Sequence, residues 1–144
     1  MKIINLEKSD ESWLKIEDFL KNAGNSLNSF RYYDKRGRLD FDKHIYTVLL
    51  VDIKSETVGY GHLDLCEKNK VWLGICLIEK FKGKGYGKLI MENLLNYANQ
   101  KNLEVNLSVD KNNVIGVKLY VKFGFKHYNS NTNMFFMKRR VTNV

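Results

Sequence analysis

No proline occurs anywhere in the 144 residues, and no low-complexity linker, internal repeat or abrupt change of composition divides them. Without such punctuation the chain is expected to form one domain over residues 1–144, a length that buries about 70% of the surface its unfolded form exposes. Cysteine is nearly absent too. Cys66 and Cys76 are the only two, there is no Cys-x-x-Cys, and His44, His62 and His127 are scattered, so no metal-ligand spacing is present. Both thiols are expected to be buried structural residues of strands. Long apolar runs are missing as well: the longest, Val71 to Ile78, falls far short of the ~20 residues a membrane helix needs, and the first residues lack the apolar core of a signal peptide. A cytoplasmic protein with no membrane partner is the expectation. The absence of Gly-x-Ser-x-Gly removes the familiar hydrolase arrangement.

What is present begins with basic charge. Lys plus Arg outnumber Asp plus Glu by 24 to 16, a net charge of +8, which suits a polyanionic ligand and equally serves solubility. Periodicity predicts an α/β order. Lys2 to Leu6 reads as a strand. Asp10 to Asn22 reads as a helix with Trp13, Leu14, Ile16, Phe19 and Leu20 on its apolar side, behind a Ser9 or Asp10 cap. Ile45 to Ile53 and Thr57 to Leu65 form a hairpin across Lys54 to Glu56, and a second turn at Glu67 to Lys70 leads into a strand over Val71 to Ile78. Tyr86 to Gln100 carries Leu89, Ile90, Leu94, Tyr97 and Ala98 on one helical stripe. A strand over Leu103 to Val109, a helix over Asn112 to Phe123 and a final strand pair over Phe125 to Lys138, turning at Asn129 to Asn133, complete the chain.

Between the strand ending at Ile78 and the helix starting at Tyr86 lie three glycines on alternate positions, Gly83, Gly85 and Gly87, with Lys82, Lys84 and Lys88 around them. A helix start leaves backbone N–H groups without partners and carries about half a positive charge, so such a junction reads as an anion cradle, pyrophosphate above all. Its spacing is not that of a P-loop, which needs a leading glycine at Lys82 and a hydroxyl at Leu89. Nor is it a Rossmann turn, which needs a third glycine at Lys88 or Ile90. Lys82-Gly83-Lys84-Gly85-Tyr86-Gly87 instead resembles the Arg/Gln-x-x-Gly-x-Gly/Ala signature of the GNAT superfamily of acyl-CoA-dependent N-acetyltransferases. The run Asn113 to Phe125 resembles that superfamily's second motif, Asn-x-x-Ala-x-x-x-Tyr followed by Gly-Phe, with Gly116 in the alanine place, Tyr120 as the tyrosine and Gly124-Phe125 behind it. The resemblance covers roughly residues 58 to 126 and does not reach the first forty. Lys82 departs from the usual Arg or Gln, and Glu79 stands where proline is common.

The resemblance implies a single-domain GNAT fold, a mixed and mostly antiparallel sheet flanked by helices. It also implies transfer of an acyl group, acetyl first, from acetyl-CoA as co-substrate to a primary amine of a small molecule, amino sugar or peptide, by direct attack in a ternary complex. The pantetheine arm would run along the strand before the glycine turn, bonded by backbone groups of Ile75 and Leu77, with the pyrophosphate on Lys82, Gly83, Lys84, Gly85, Tyr86, Gly87 and Lys88. Gly74 marks either a bulge in that strand or a place of tight packing. Asn113 either holds the cofactor or simply caps a helix. Tyr120 is the implied acid for the departing thiolate, against a plain core aromatic; a phenol with an ordinary pKa near 10 suits that task. Strand alternation puts Tyr60, His62 and Asp64 on one face beside the cofactor strand, and His62 and Asp64 are the candidate bases, against an ordinary surface His and Asp.

The run Phe30 to Arg36, with Arg31, Tyr32 and Tyr33, is the candidate acceptor site or one face of an amphipathic helix. Ping-pong transfer would need a nucleophile, and Cys76 is the one thiol near the thioester. Two other classes stay open: a basic nucleic-acid-binding module using Lys138-Arg139-Arg140 and the turn lysines, which explains the charge but not the two motifs, and a GNAT-fold sensor that binds acyl-CoA without turnover. Nucleic acid is not the expected partner, and a homodimer is left open.

Overall fold

A computed structural model of the chain describes residues 1–22 and 41–140. Seven strands run in the order β1-β2-β3-β4-β5-β7-β6: β1 (Lys2–Asn5), β2 (His44–Val51), β3 (Thr57–Glu67), β4 (Lys70–Leu77), β5 (Glu104–Asp110), β6 (Lys126–Ser130) and β7 (Met134–Arg139). Every neighbouring pair is antiparallel except β4 and β5. Among the described residues three helices flank the sheet, α1 (Asp10–Asn22), α2 (Tyr86–Gln100) and α3 (Val114–Lys122).

The sheet has a core on each face. On one, Ile90, Met91, Leu94, Leu95 and Ala98 of α2 pack on Val48, Leu50, Leu63, Leu73, Val105 and Leu107. Met91 and Leu95 complete the buried side of α2, whereas Leu89, expected on that side, is exposed. The helix can lie this close because β3 offers backbone alone there: a Cβ at Gly59 or Gly61 would come within 2.8 and 2.6 Å of Ile90. On the other face α1 buries Ile16 and Phe19 against Leu49, Val51, Tyr60 and Cys76. Ser9 supplies the α1 cap, its hydroxyl accepting from the Ser12 N–H at 3.1 Å.

The hairpin register runs unbroken from Gly59↔Leu77 to Leu65↔Val71, so Gly74 is no bulge toward β3; the irregularity falls at Leu65 to Glu67 instead. The expectation of two buried thiols holds for Cys76 only. Cys66 is exposed near the end of β3, with its Sγ 3.4 Å from the Lys70 carbonyl.

Candidate active site

β4 and β5 pair only from Lys70↔Glu104 to Trp72↔Asn106. Beyond that point β5 keeps β7 as its neighbour and β4 keeps β3, so the two parallel strands part. The Ile78 N–H donates to the Val58 carbonyl at 2.9 Å. Alternation therefore turns the main-chain groups of Gly74 and Cys76 toward β3 and those of Leu73, Ile75 and Leu77 toward the parting. A cavity of about 450 Å³ occupies it, with Ile75, Cys76 and Leu77 on the β4 side and Ser108 and Val109 on the β5 side.

The glycine turn forms the second part of the wall. After a single 3₁₀ turn at Glu79–Phe81 the chain passes through Gly83 at φ +75° and Gly85 at φ +85°, and Gly85 is the N-cap of α2 with no side-chain hydrogen bond to the helix start. A Cβ at either would meet nothing within 4 Å, so the left-handed backbone and not crowding requires glycine there. Gly87 differs: its Cβ would sit 3.5 Å from Leu119 of α3, an ordinary contact, so the first turn of α2 lies beside α3. The first N–H groups of a 15-residue helix thus meet the cavity at its positive end. Lys82 and Lys88 line the cavity and pair with Glu79 at 3.0 Å and Glu92 at 3.9 Å. Lys84 and Tyr86 do not line it; the Lys84 ammonium lies 5.9 Å from the Phe81 ring centroid.

α3 closes the remaining side. Its cap is Asn113, whose Oδ1 accepts from the Gly116 N–H at 3.0 Å, which leaves the amide NH₂ as the donor end of a side chain on the cavity wall. Tyr120 also lines the cavity and is buried. The Gly-Phe pair of the second motif explains how it is held. Gly124 (φ +92°) ends the helix, the Phe125 N–H returns to the Tyr120 carbonyl at 3.0 Å, and the Phe125 ring meets the Tyr120 ring edge-on at 5.9 Å. Arg139 of β7 ties the same end down, donating to the Phe123 carbonyl at 3.0 Å and to Asn99 of α2 at 2.9 Å.

Tyr60, His62 and Asp64 share one face, as alternation predicts, but they are not surface residues: His62 is 1% and Asp64 3% exposed, on the α1 side of the sheet. The Tyr60 hydroxyl lies 2.7 Å from His62 Nδ1. Two residues that sequence reasoning missed join them from β2. His44 stacks on His62 at 4.1 Å and 18°, with its Nδ1 3.1 Å from the Thr47 hydroxyl and its Nε2 3.8 Å from Asp64. The donor atoms of His44, His62 and Asp64 fall within 4.8 Å of one another. Near-parallel imidazoles have no common in-plane point at the ~2 Å of a metal–nitrogen bond, so the arrangement as it stands suits a proton better than an ion. None of the cluster lines the cavity; His62 is paired with Gly74, one strand away from it.

Cys76 does line the cavity, but burial pushes its thiol up to about 12, only partly offset by Lys82. Such a thiol is protonated at neutral pH and is a poor nucleophile. Arg31, Tyr32 and Tyr33 lie outside the described residues.

Residues 10–125 match the model of the Acetyltransferase (GNAT) family, a match that starts well before the two motifs. The spermine/spermidine N(1)-acetyltransferase of Bacillus subtilis (strain 168) is 31% identical over 93 residues, 58% of this chain and 61% of that one. The probable spermine N(1)-acetyltransferase of Bacillus subtilis subsp. natto matches to the same extent, so the chain spans about 61% of the length of the curated relatives it matches. Among solved structures, the ribosomal-protein-S18-alanine N-acetyltransferase from Escherichia coli superposes with a TM-score of 0.75 at 13% identity, over 99% of this chain and 95% of that one. A GNAT superfamily phosphinothricin acetyltransferase from Sinorhizobium meliloti, in complex with acetyl-CoA, gives 0.75 at 13% identity over 97% and 88%. At these identities the structural likeness speaks for the fold alone.

Proposed function

The chain belongs to the GNAT acetyltransferase family, and on that premise we propose that it transfers an acetyl group from acetyl-CoA to a primary amine by direct attack in a ternary complex. The parting of β4 from β5 beyond Trp72 carries this reading, because it leaves a strand-wide slot that begins at the α2 amides and ends at Tyr120. The residues fit the ligand. Leu73, Ile75 and Leu77 offer the backbone pattern of a missing neighbouring strand to the pantetheine amides. The Gly83, Gly85 and Gly87 backbone, with Lys82 and Lys88, meets the pyrophosphate, and the Asn113 amide is a further donor. Bound there, acetyl-CoA supplies a carbonyl carbon already activated as a thioester.

Tyr120 serves as the acid. Its hydroxyl donates a proton to sulfur as the C–S bond breaks, and its packing on Phe125 holds it in place. The base comes from His62 with Asp64, through water, since neither reaches the cavity directly. Cys76 takes no covalent part. Arg31, Tyr32 and Tyr33 are proposed to contact the acceptor, and the curated relatives' names put polyamines first among amines to try.

The test is release of free CoA thiol from acetyl-CoA across a panel of spermine, spermidine, amino sugars and peptides with free amino ends. At least one amine is expected to give turnover above the hydrolysis background. Tight acetyl-CoA binding with no amine turned over would favour the non-catalytic sensor.

A further inference from the structure

Among the described residues that line the cavity, Glu79 is the one acid; the charged side chains beside it are Lys82, Lys88 and Lys122. Its place follows from the backbone. The chain takes a single 3₁₀ turn at Glu79–Phe81, closed by the Lys82 N–H on the Glu79 carbonyl at 3.1 Å, and in such a turn side chains three apart stand one above the other. The Glu79 carboxylate therefore meets the Lys82 ammonium at 3.0 Å, and both residues are part of the cavity wall just before the Gly83 to Gly87 backbone.

The second ion pair at the cradle is built differently. Lys88 and Glu92 are one turn apart on α2 at 3.9 Å, and Glu92 does not line the cavity. A carboxylate off the wall steadies a lysine that meets an anion; one on the wall competes for the ammonium and repels the anion itself. Resting on the acetyltransferase reading, we infer that Glu79 is an affinity-setting residue: it engages the Lys82 ammonium from the ligand's own side and so weakens the hold on the pyrophosphate of acetyl-CoA and of product CoA alike.

Substrate and product carry the same pyrophosphate, so the effect is uniform across the reaction. It raises the acetyl-CoA concentration that fills the site, leaves the chemical step alone and speeds the departure of CoA. Its size is bounded by solvent, since the Glu79 and Lys82 side chains are 60% and 36% exposed, and for the same reason it is sensitive to salt.

Calorimetric titration of acetyl-CoA and of CoA into wild type, Glu79→Gln, Glu92→Gln, Lys82→Ala and the Glu79→Gln/Lys82→Ala double variant reads this without turnover. Glu79→Gln should tighten both ligands by the same factor, roughly two- to tenfold at low ionic strength and less as salt rises. S-acetylpantetheine has the arm and the thioester but no phosphate, and should bind wild type and Glu79→Gln equally. Glu92→Gln removes the same charge away from the wall and should tighten binding by clearly less. Lys82→Ala should weaken acetyl-CoA more in the Glu79→Gln background than in wild type, because there the ammonium has no carboxylate to leave. Glu79→Ala should repeat the sign of Glu79→Gln, with melting temperatures of the unliganded variants as the control for folding. With spermidine as acceptor, KM for acetyl-CoA should fall while the single-turnover rate at saturation stays put.

Weaker binding in Glu79→Gln would make Glu79 a support that aims Lys82 at the phosphate, and overturns the inference. An equal gain from Glu92→Gln, or additive effects of the Glu79 and Lys82 changes, leaves only diffuse charge and overturns it too. If acetyl-CoA and CoA bind neither wild type nor any variant, the acetyltransferase reading falls with it. If they bind in the expected order and no amine is turned over, the role of Glu79 stands and the transfer reading fails.

Discussion

Tyr120 and Cys76 both line the cavity, and the proposed mechanism gives them opposite parts. Tyr120→Phe keeps the edge-on packing against Phe125 and removes only the hydroxyl, which in the proposed mechanism acts at the moment charge develops on sulfur. The turnover number should fall roughly ten- to a thousandfold with acetyl-CoA affinity little changed, measured as single-turnover rate and dissociation constant on one preparation. Joint loss of stability and affinity, with an unchanged rate at saturation, would make the phenol structural. Cys76 points the other way. Burial pushes its thiol up to about 12, so Cys76→Ala should keep turnover within roughly a fewfold of wild type, and no acetyl-protein should be trapped when acetyl-CoA is added without amine. An acetylated Cys76 peptide in a mass spectrum would establish ping-pong transfer instead. Tyr120 was legible in the sequence because its motif is local, spanning one helix and the turn that ends it. His44 was not. Its proximity to Asp64 depends on how β2 pairs with β3, and a register irregularity between His44 and Tyr46 shifts that pairing in a way no spacing along the chain reveals.

Elements were legible wherever a single period ran between clear stops. The α1 and α2 bounds, Asp10–Asn22 and Tyr86–Gln100, coincide with the apolar stripes and their caps. The parting of β4 and β5 was not readable, because a strand's own residues do not say where its neighbour departs; the resemblance alone implied an open edge at Ile75 and Leu77. The glycine turn is where local sequence and tertiary role coincide, and it separates two sources of anion affinity. Gly85→Val forces a β-branched residue into a left-handed conformation, and Gly87→Val adds a branched side chain to the first turn of α2, on the cavity wall. The first shifts the backbone donors and the second places a β-branched side chain where phosphate must approach them, and loss of one or two charge-assisted hydrogen bonds predicts an affinity for CoA on the order of tenfold or more weaker. Lys84→Ala removes an exposed charge that does not line the cavity, a change expected to stay below about fivefold. Calorimetric titration of variants whose melting curves show them folded makes the comparison. Equal losses from all three would mean that diffuse charge, and not backbone geometry, forms the site.

For the whole molecule, a net charge of +8 and a slot that interrupts the sheet make different demands on a ligand. Charge alone attracts any polyanion, and that attraction is screened by salt. In the proposed reading the slot takes a ligand with an extended amide-bearing arm to lie beside β4 and a pyrophosphate to meet α2, so binding should stabilise the two halves of the sheet together. Acetyl-CoA at a hundred times its dissociation constant adds about 2.7 kcal/mol to folding stability, which corresponds to a melting shift of roughly 5–10 °C for a domain of this size. NAD and ATP carry the pyrophosphate without the arm and should shift melting much less; short oligonucleotides carry only charge and should lose any effect as salt rises. Thermal melts with each ligand at low and at physiological ionic strength make the comparison. A shift with acetyl-CoA that survives the salt increase identifies the slot as the binding element. If oligonucleotides raise the melting temperature and acetyl-CoA leaves it unchanged, the basic surface is the functional one and the parted strands serve only the fold.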